Sequence, residues 1–98
     1  MDAELKQKWI AALRSGDYVQ GTYALRTPSG RMCCLGVLCV VADIDLDEVE
    51  TKFGTLSLTY PPVDAGLIGR DEATKLSKMN DERGTSFPEI ADYIEKNL

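Results

Sequence analysis

The stretch RMCCLGVLCVVAD, residues 31–43, decides the fold, because it is the longest apolar run of the 98-residue chain and holds all three cysteines. The run is apolar on every side, so periodicity alone does not separate a buried strand from a buried helix. Its length and its Leu, Cys and Ala content favour a helix from Cys33 to Ala42. Gly36 costs such a helix about 1 kcal/mol relative to Ala, which predicts that another backbone packs closely there.

The cysteines of this run, Cys33, Cys34 and Cys39, are interpreted as core residues. A zinc site needs three or four ligands drawn from spaced Cys and His residues, and the chain contains no histidine. A reactive thiol stays open as an alternative, because Arg31 lies close to Cys33 near the expected helix start and a nearby cation lowers a thiol pKa. Free cysteines otherwise behave as small buried hydrophobes. The sequence thus predicts no metal and no cofactor.

The absence of histidine from the sequence also makes an enzyme the less favoured class. It removes the usual base at neutral pH, together with every Ser-His and Cys-His pair. No Walker loop and no G-x-G-x-x-G motif is present. Carboxylates are plentiful, but no pair stands in an apolar setting that would raise one pKa and separate an acid from a base. We predict a protein that is not an enzyme and has no catalytic residues.

Length and charge narrow the class of protein further. A hydrophobic content of 44% in 98 residues fits one domain, residues 1–98. The apolar run is far shorter than the roughly 20 residues that span a bilayer, and the N-terminal residues lack a signal peptide's apolar centre, which predicts a cytoplasmic protein with no membrane partner. A net charge of −5 and a pI near 4.6 argue against general nucleic-acid binding.

Three amphipathic segments predict helices that surround the central one. Asp2 is a suitable N-cap for a helix over residues 3–14, and a second segment covers residues 71–79. Ser86 and Glu89 form a capping box for a last helix that reaches Asn97.

Two further segments predict β structure. Residues 18–34 are rich in β-prone residues around the turn sequence TPSG, which indicates a short hairpin. Residues 55–60 alternate Leu56, Leu58 and Tyr60 with small polar residues, which is typical of a strand that the following prolines end. We therefore predict an α+β fold: a small single domain of three to four helices packed around a central apolar helix, with a minor antiparallel β hairpin or sheet.

Polar and basic groups between residues 14 and 31 give the leading functional hypothesis. Arginine binds phosphate or carboxylate through two parallel hydrogen bonds, tyrosine rings stack on bases, and glycines let a backbone approach a ligand. The candidate ligand-binding residues are Arg14, Ser15, Tyr18, Gln20, Tyr23, Arg26 and Arg31. They would bind a small anionic ligand, such as a nucleotide signal, and a homo-oligomer would deepen the pocket by sharing it across an interface. Alternatively, the arginines are surface charges paired with the acidic half of the chain.

The acidic run DIDLDEVE, residues 43–50, supports a second hypothesis. Such a run is most often a solvated face or loop. Its surface from Asp43 to Glu50 would also suit a protein-interaction module that inhibits a host or phage protein by binding a basic site on it.

Three segments resemble a group of small, uncharacterised proteins encoded by bacteriophages and prophages. They are KWIAALRSGDYVQG (8–21), CCLGVLCVVAD (33–43) and LSKMNDERGTSFPEIADYIEKNL (76–98). The matching positions are Trp9, Ala12 to Gly16, Tyr18, Gln20, Cys33 to Leu38, Asn80, Asp81, Phe87 and Ile90 to Asp92, whereas residues 43–50 and 55–65 diverge. The resemblance implies a phage accessory role, such as counter-defence or modulation of the host from its cytosol, and it supplies no catalytic residues.

Overall fold

The computed structural model describes residues 1–57 and 59–98, and in this part of the chain six helices follow one another. They are α1 (Ala3–Ser15), α2 (Cys34–Val41), α3 (Leu46–Phe53), α4 (Pro61–Asp64), α5 (Arg70–Asp81) and α6 (Phe87–Asn97). Together they measure 34 × 26 × 23 Å. Among the described residues, no helix combines the length and the apolar character that crossing a membrane requires.

The apolar run forms the predicted central helix, α2, which packs against α1, α4 and α5. Leu35, Val37 and Leu38 are almost completely buried. A Cβ atom built on Gly36 would lie 1.9 Å from the carbonyl oxygen of Leu25. The predicted close approach of a second backbone is therefore confirmed, and the segment around Leu25 supplies it.

The first and last helices begin at the predicted caps. The carboxylate of Asp2 accepts a hydrogen bond from the Leu5 backbone N–H at 2.8 Å, and Ser86 and Glu89 make the reciprocal bonds of a capping box. Helices α1 and α6 then pack against each other. The indole N–H of Trp9 on α1 donates to the Cys34 carbonyl oxygen at 2.9 Å, which joins this pair to the start of α2.

The predicted α+β class is wrong: the described residues are helical, and they form no β hairpin or sheet. Between residues 18 and 34, pairing is limited to two isolated bridges, in which Met32 meets Gln20 on one side and Arg26 on the other. The turn at TPSG does form, with the Thr27 N–H donating to the Arg31 carbonyl oxygen at 2.7 Å. Before this turn, the chain bends at Tyr23, whose φ is 63°, so the two sides of the turn do not continue into a ladder.

The predicted strand at residues 55–60 is likewise not a strand in its described part. Leu56 is buried, and its carbonyl oxygen accepts a hydrogen bond from the Leu25 N–H at 2.9 Å, but this contact is isolated. Leu58 lies outside the described residues. Tyr60 is the residue before α4, whose first turn contains Pro61. The prolines therefore begin a helix as well as ending the extended segment, because proline suits the first helical turn.

A buried amide fixes the long connection between α1 and α2. Asn80 of α5 is 2% exposed, and its Oδ1 accepts from the Gln20 side chain at 2.9 Å and from the Cys34 N–H at 3.2 Å. Its Nδ2 donates to the Gly21 carbonyl oxygen and to Asp81, each at 2.8 Å. These bonds use the side chain's whole hydrogen-bonding capacity for structure.

Candidate functional site

Arg14, the first of the sequence-predicted ligand residues, is held by α6. Its guanidinium donates to Asp92 at 2.7 Å and to Glu95 at 3.3 Å. The hydrogen bonds to Glu95 and then Asp92 raise the pKa of Arg14 above its ordinary value. An anionic ligand would have to compete with two carboxylates for this side chain.

Arg26 and Arg31 lie on the connection before α2, and their hydrogen-bond partners differ from those of Arg14. Arg26 donates to Asp47 of α3 at 2.6 Å, so it joins this connection to the acidic run. Arg31 is exposed, and its backbone N–H donates to the Thr27 hydroxyl at 3.1 Å. Arg14 and Arg26 are thus each paired with an acidic residue from the acidic part of the chain, residues 43–98, which is the arrangement of the alternative interpretation.

The four uncharged candidates serve different purposes. Ser15 donates to the Ala12 carbonyl oxygen at the end of α1, and Tyr18 is half-buried against the core. The side-chain N–H groups of Gln20 donate to Asn80 and to the Thr85 carbonyl oxygen, and its side-chain oxygen accepts from the Phe87 N–H. Tyr23 differs from these three, because its side chain is 65% exposed.

The three cysteines are buried, which confirms their interpretation as core residues. Burial raises the pKa of Cys33 from 9.0 to about 11 and that of Cys39 to about 12. Burial is also the main cause that raises the pKa of Cys34 well above its ordinary value, with the charges of Cys33 and Asp81 adding to it. A thiol acts as a nucleophile only after it has lost its proton, so these pKa values describe unreactive side chains at neutral pH.

The groove between α3 and α4 is the largest concavity that we describe, with a volume of about 680 Å³. The C-terminal end of α2 sets its position: the Ile44 N–H donates to the Cys39 carbonyl oxygen at 2.9 Å, and α4 packs against α2. Asp45 caps α3 by accepting hydrogen bonds from the N–H groups of Asp47 and Glu48. We call this concavity the acidic groove.

The acidic groove combines an apolar lining with carboxylates. Its apolar residues include Ile44, Val49, Phe53, Pro61 and Ala65. Four acidic side chains, Asp43, Asp45, Glu48 and Asp64, face one cationic side chain, Lys52. The Lys52 ammonium lies 5.4 Å from the centre of the Phe53 ring. The groove therefore offers apolar contact area beneath a negative potential.

Helix α3 keeps one large apolar side chain, Phe53, largely in solvent. Within α3, all of which the structure describes, Leu46 is the one buried side chain. Val49 is half-buried, and Phe53 is 51% exposed. Phe53 extends the apolar lining of the acidic groove into solvent, where a partner has access to it.

Sequence reasoning recognised the acidic run but missed the helix within it. Asp45 is followed three residues later by Glu48, which is an N-terminal signal of a helix. Leu46, Val49 and Phe53 then recur at helical spacing, and Gly54 ends the helix in the left-handed conformation. These signals were sufficient to place an amphipathic helix at residues 46–53, whereas nothing in the sequence indicated that Asp64 would face it.

Comparison with known proteins assigns the chain to a family without supplying an activity. No curated protein and no solved structure matches it. One family model matches residues 1–61, which include α1, α2, α3 and most of the acidic groove. The chain belongs to the family described as a domain of unknown function, DUF8296.

Proposed function

We propose that this protein is a small accessory binding protein whose acidic groove docks a basic, amphipathic segment of a partner protein. The observation that carries the proposal is the pairing of an apolar lining, with Phe53 exposed, and four carboxylates in one concavity. A Lys- and Arg-rich segment with apolar residues on one face would bury those residues against Val49 and Phe53. Its cations would then lie beside Glu48 and Asp64, which favours association and selects against acidic partners.

Two acidic residues of the run, Asp45 and Asp47, already have structural roles. Asp47, which also belongs to the acidic run, pairs with Arg26 and does not line the groove. Asp45 caps α3 with one carboxylate oxygen. Glu48 and Asp64 therefore provide the side chains that a partner's cations would recognise first.

The resemblance to phage and prophage proteins supports the biological setting of this proposal. A phage-encoded binding protein would act in the cytosol of the host, on a host or phage protein whose basic segment fits the groove. Inhibition would follow if that segment belongs to the partner's own functional site.

Fluorescence anisotropy with a labelled amphipathic Leu/Lys peptide would test the groove. We expect saturable binding that weakens with salt, no binding of the corresponding Leu/Glu peptide, and at least a tenfold loss of affinity in the Glu48→Lys, Asp64→Lys double variant. Glu50→Lys is the matched control, because Glu50 is exposed on the same helix and does not line the groove. Equal losses in the double variant and in a Glu50→Lys, Glu82→Lys control of the same net charge would contradict the proposal.

The hypothesis of a small anionic ligand remains a prediction with its own test. Calorimetric titration with cyclic and linear nucleotides, repeated with Arg14→Ala, Arg26→Ala and Arg31→Ala, would decide it. The ion pairs of Arg14 and Arg26 favour the acidic groove over this alternative, since each guanidinium already has a carboxylate partner.

A further inference from the structure

A second concavity lies between the connection before α2 and helix α5, on residues that the acidic groove does not use. Its volume is about 280 Å³, and Tyr23 and Tyr60 both line it. Leu25, Leu35 and Leu56 contribute apolar lining. We call it the tyrosine cleft. Its size suits a single small ring system, because sites for drug-sized ligands begin at roughly 300 Å³.

The backbone of Tyr23 adopts a conformation that is unfavourable for a tyrosine. Its φ of 63° lies in the left-handed region, which side chains other than Gly, Asn and Asp rarely adopt. The conformation is held by the Asp81 carboxylate, which accepts the Tyr23 N–H at 3.0 Å and is itself bonded to Asn80. Glycine would adopt the same backbone conformation without strain. The strain therefore accompanies an aromatic ring that remains 65% exposed at the cleft.

The charged residues around the tyrosine cleft favour a cationic ligand over an anionic one. Asp81 is its one ionisable carboxylate, and no Lys or Arg is among the described residues that line it. An adjoining hollow shares both tyrosines and Asp81, and there Lys78 is accompanied by Glu82. Tyrosine rings attract cations through their faces, and a carboxylate pairs with an ammonium group. An anion would find no cation among the described residues that line the cleft itself, and Arg70 in a neighbouring hollow that shares Tyr60 is accompanied by Asp64.

We propose that the tyrosine cleft binds a small organic cation, specifically a primary amine carried on one planar ring. The ring lies against the apolar lining between Tyr23 and Tyr60, and the ammonium group pairs with Asp81. Hydroxyl groups of Ser57, Thr59 and Ser77 line the same cleft and provide further acceptors for the ammonium hydrogens. This site is independent of the acidic groove, so either proposal can hold without the other.

Nuclear magnetic resonance titration of the 98-residue chain with three ligands of the same ring would test the proposal. We expect benzylamine to shift the backbone amides of residues 23–25, 33–35 and 77–81 in a saturable manner. Benzyl alcohol should bind about tenfold more weakly and benzoate not at all, because only the amine carries the positive charge. Equal binding of all three ligands, saturable shifts confined to the acidic groove, or no shifts up to about 10 mM benzylamine would each overturn it.

Two variants separate recognition from folding. Asp81→Asn keeps an acceptor for the Tyr23 N–H but removes the charge, so benzylamine should fall to the affinity of benzyl alcohol. Tyr23→Gly should lose benzylamine binding while the thermal midpoint does not fall, because glycine relieves the backbone strain and the ring is mostly exposed. Glu48→Lys in the acidic groove is the control and should leave benzylamine binding intact. Unaltered affinity in Asp81→Asn, or a lower midpoint in Tyr23→Gly, would contradict the assignment.

Discussion

At the scale of single residues, Gly36 shows how one missing side chain lets two parts of the fold meet. The Leu25 carbonyl oxygen occupies the place where a Cβ atom would be. We predict that Gly36→Ala lowers the free energy of unfolding by about 2–3 kcal/mol, despite a gain of about 1 kcal/mol in helix propensity, because α2 and the Leu25 segment must separate. Urea denaturation measures the change. Gly69→Ala is the control, since nothing lies within 4 Å of its Cβ position, and a loss as large as that of Gly36→Ala would show that the clash is not the cause.

Asn80 is the second residue whose replacement should have a large effect. It is the one buried polar residue found in the described part of the chain, and its side chain makes four hydrogen bonds to the connection before α2 and to Asp81. We predict that Asn80→Leu costs about 3 kcal/mol of unfolding free energy, because the Gly21 carbonyl oxygen and the Cys34 N–H lose their partner. Chemical denaturation of Asn80→Leu beside the exposed Asn97→Leu measures it. Similar costs at the two positions would contradict this account.

At the scale of elements, local signals in the sequence placed α1, α2 and α6, those of α3 were overlooked, and the segments whose path depends on tertiary contacts were predicted wrongly. Helices α1 and α6 have side-chain caps, and α2 is too apolar to lie anywhere except in the core. The hairpin was wrong because β-prone residues form a ladder only when the strands run side by side, and Asn80, Asp81 and Gly36 hold this segment in another path. The tyrosine cleft was unpredictable for the same reason, since it assembles from residues far apart in sequence.

Helix α3 is the element that we expect to open most easily. Leu46 is its one buried side chain, and its N-terminus depends on the Asp45 cap. We predict that Asp45→Ala costs α3 about 1 kcal/mol, which corresponds to an approximately fivefold faster amide exchange in residues 47–53. Hydrogen exchange with mass spectrometry measures this, with peptides from α2 as the internal reference. Glu50→Ala should leave the rates unchanged, and equal acceleration in α2 would indicate global rather than local opening.

At the scale of the whole molecule, three thiols in one core make stability depend on pH in the alkaline range. Burial raises the pKa of Cys33 to about 11 and that of Cys39 to about 12, whereas an unfolded thiol ionises near 9.0. The folded protein therefore retains protons that the unfolded chain releases. This contribution to stability is fully present below pH 9 and is lost as the pH rises toward 11 or 12.

The expected size of that loss follows from the number of thiols. Between pH 8 and pH 10, each buried thiol should lower the free energy of unfolding by about 1.4 kcal/mol, or about 4 kcal/mol for the three together. Urea denaturation at both pH values, with a phosphine reductant present to keep the unfolded thiols reduced, measures the total. Cys39→Ala lowers stability at every pH by leaving a small cavity, but its loss between pH 8 and pH 10 should be smaller than the wild-type loss by about 1.4 kcal/mol. The two proteins share every other ionisable group, so the difference isolates the thiol, and an identical pH dependence in the two proteins would mean that Cys39 can ionise without leaving the core.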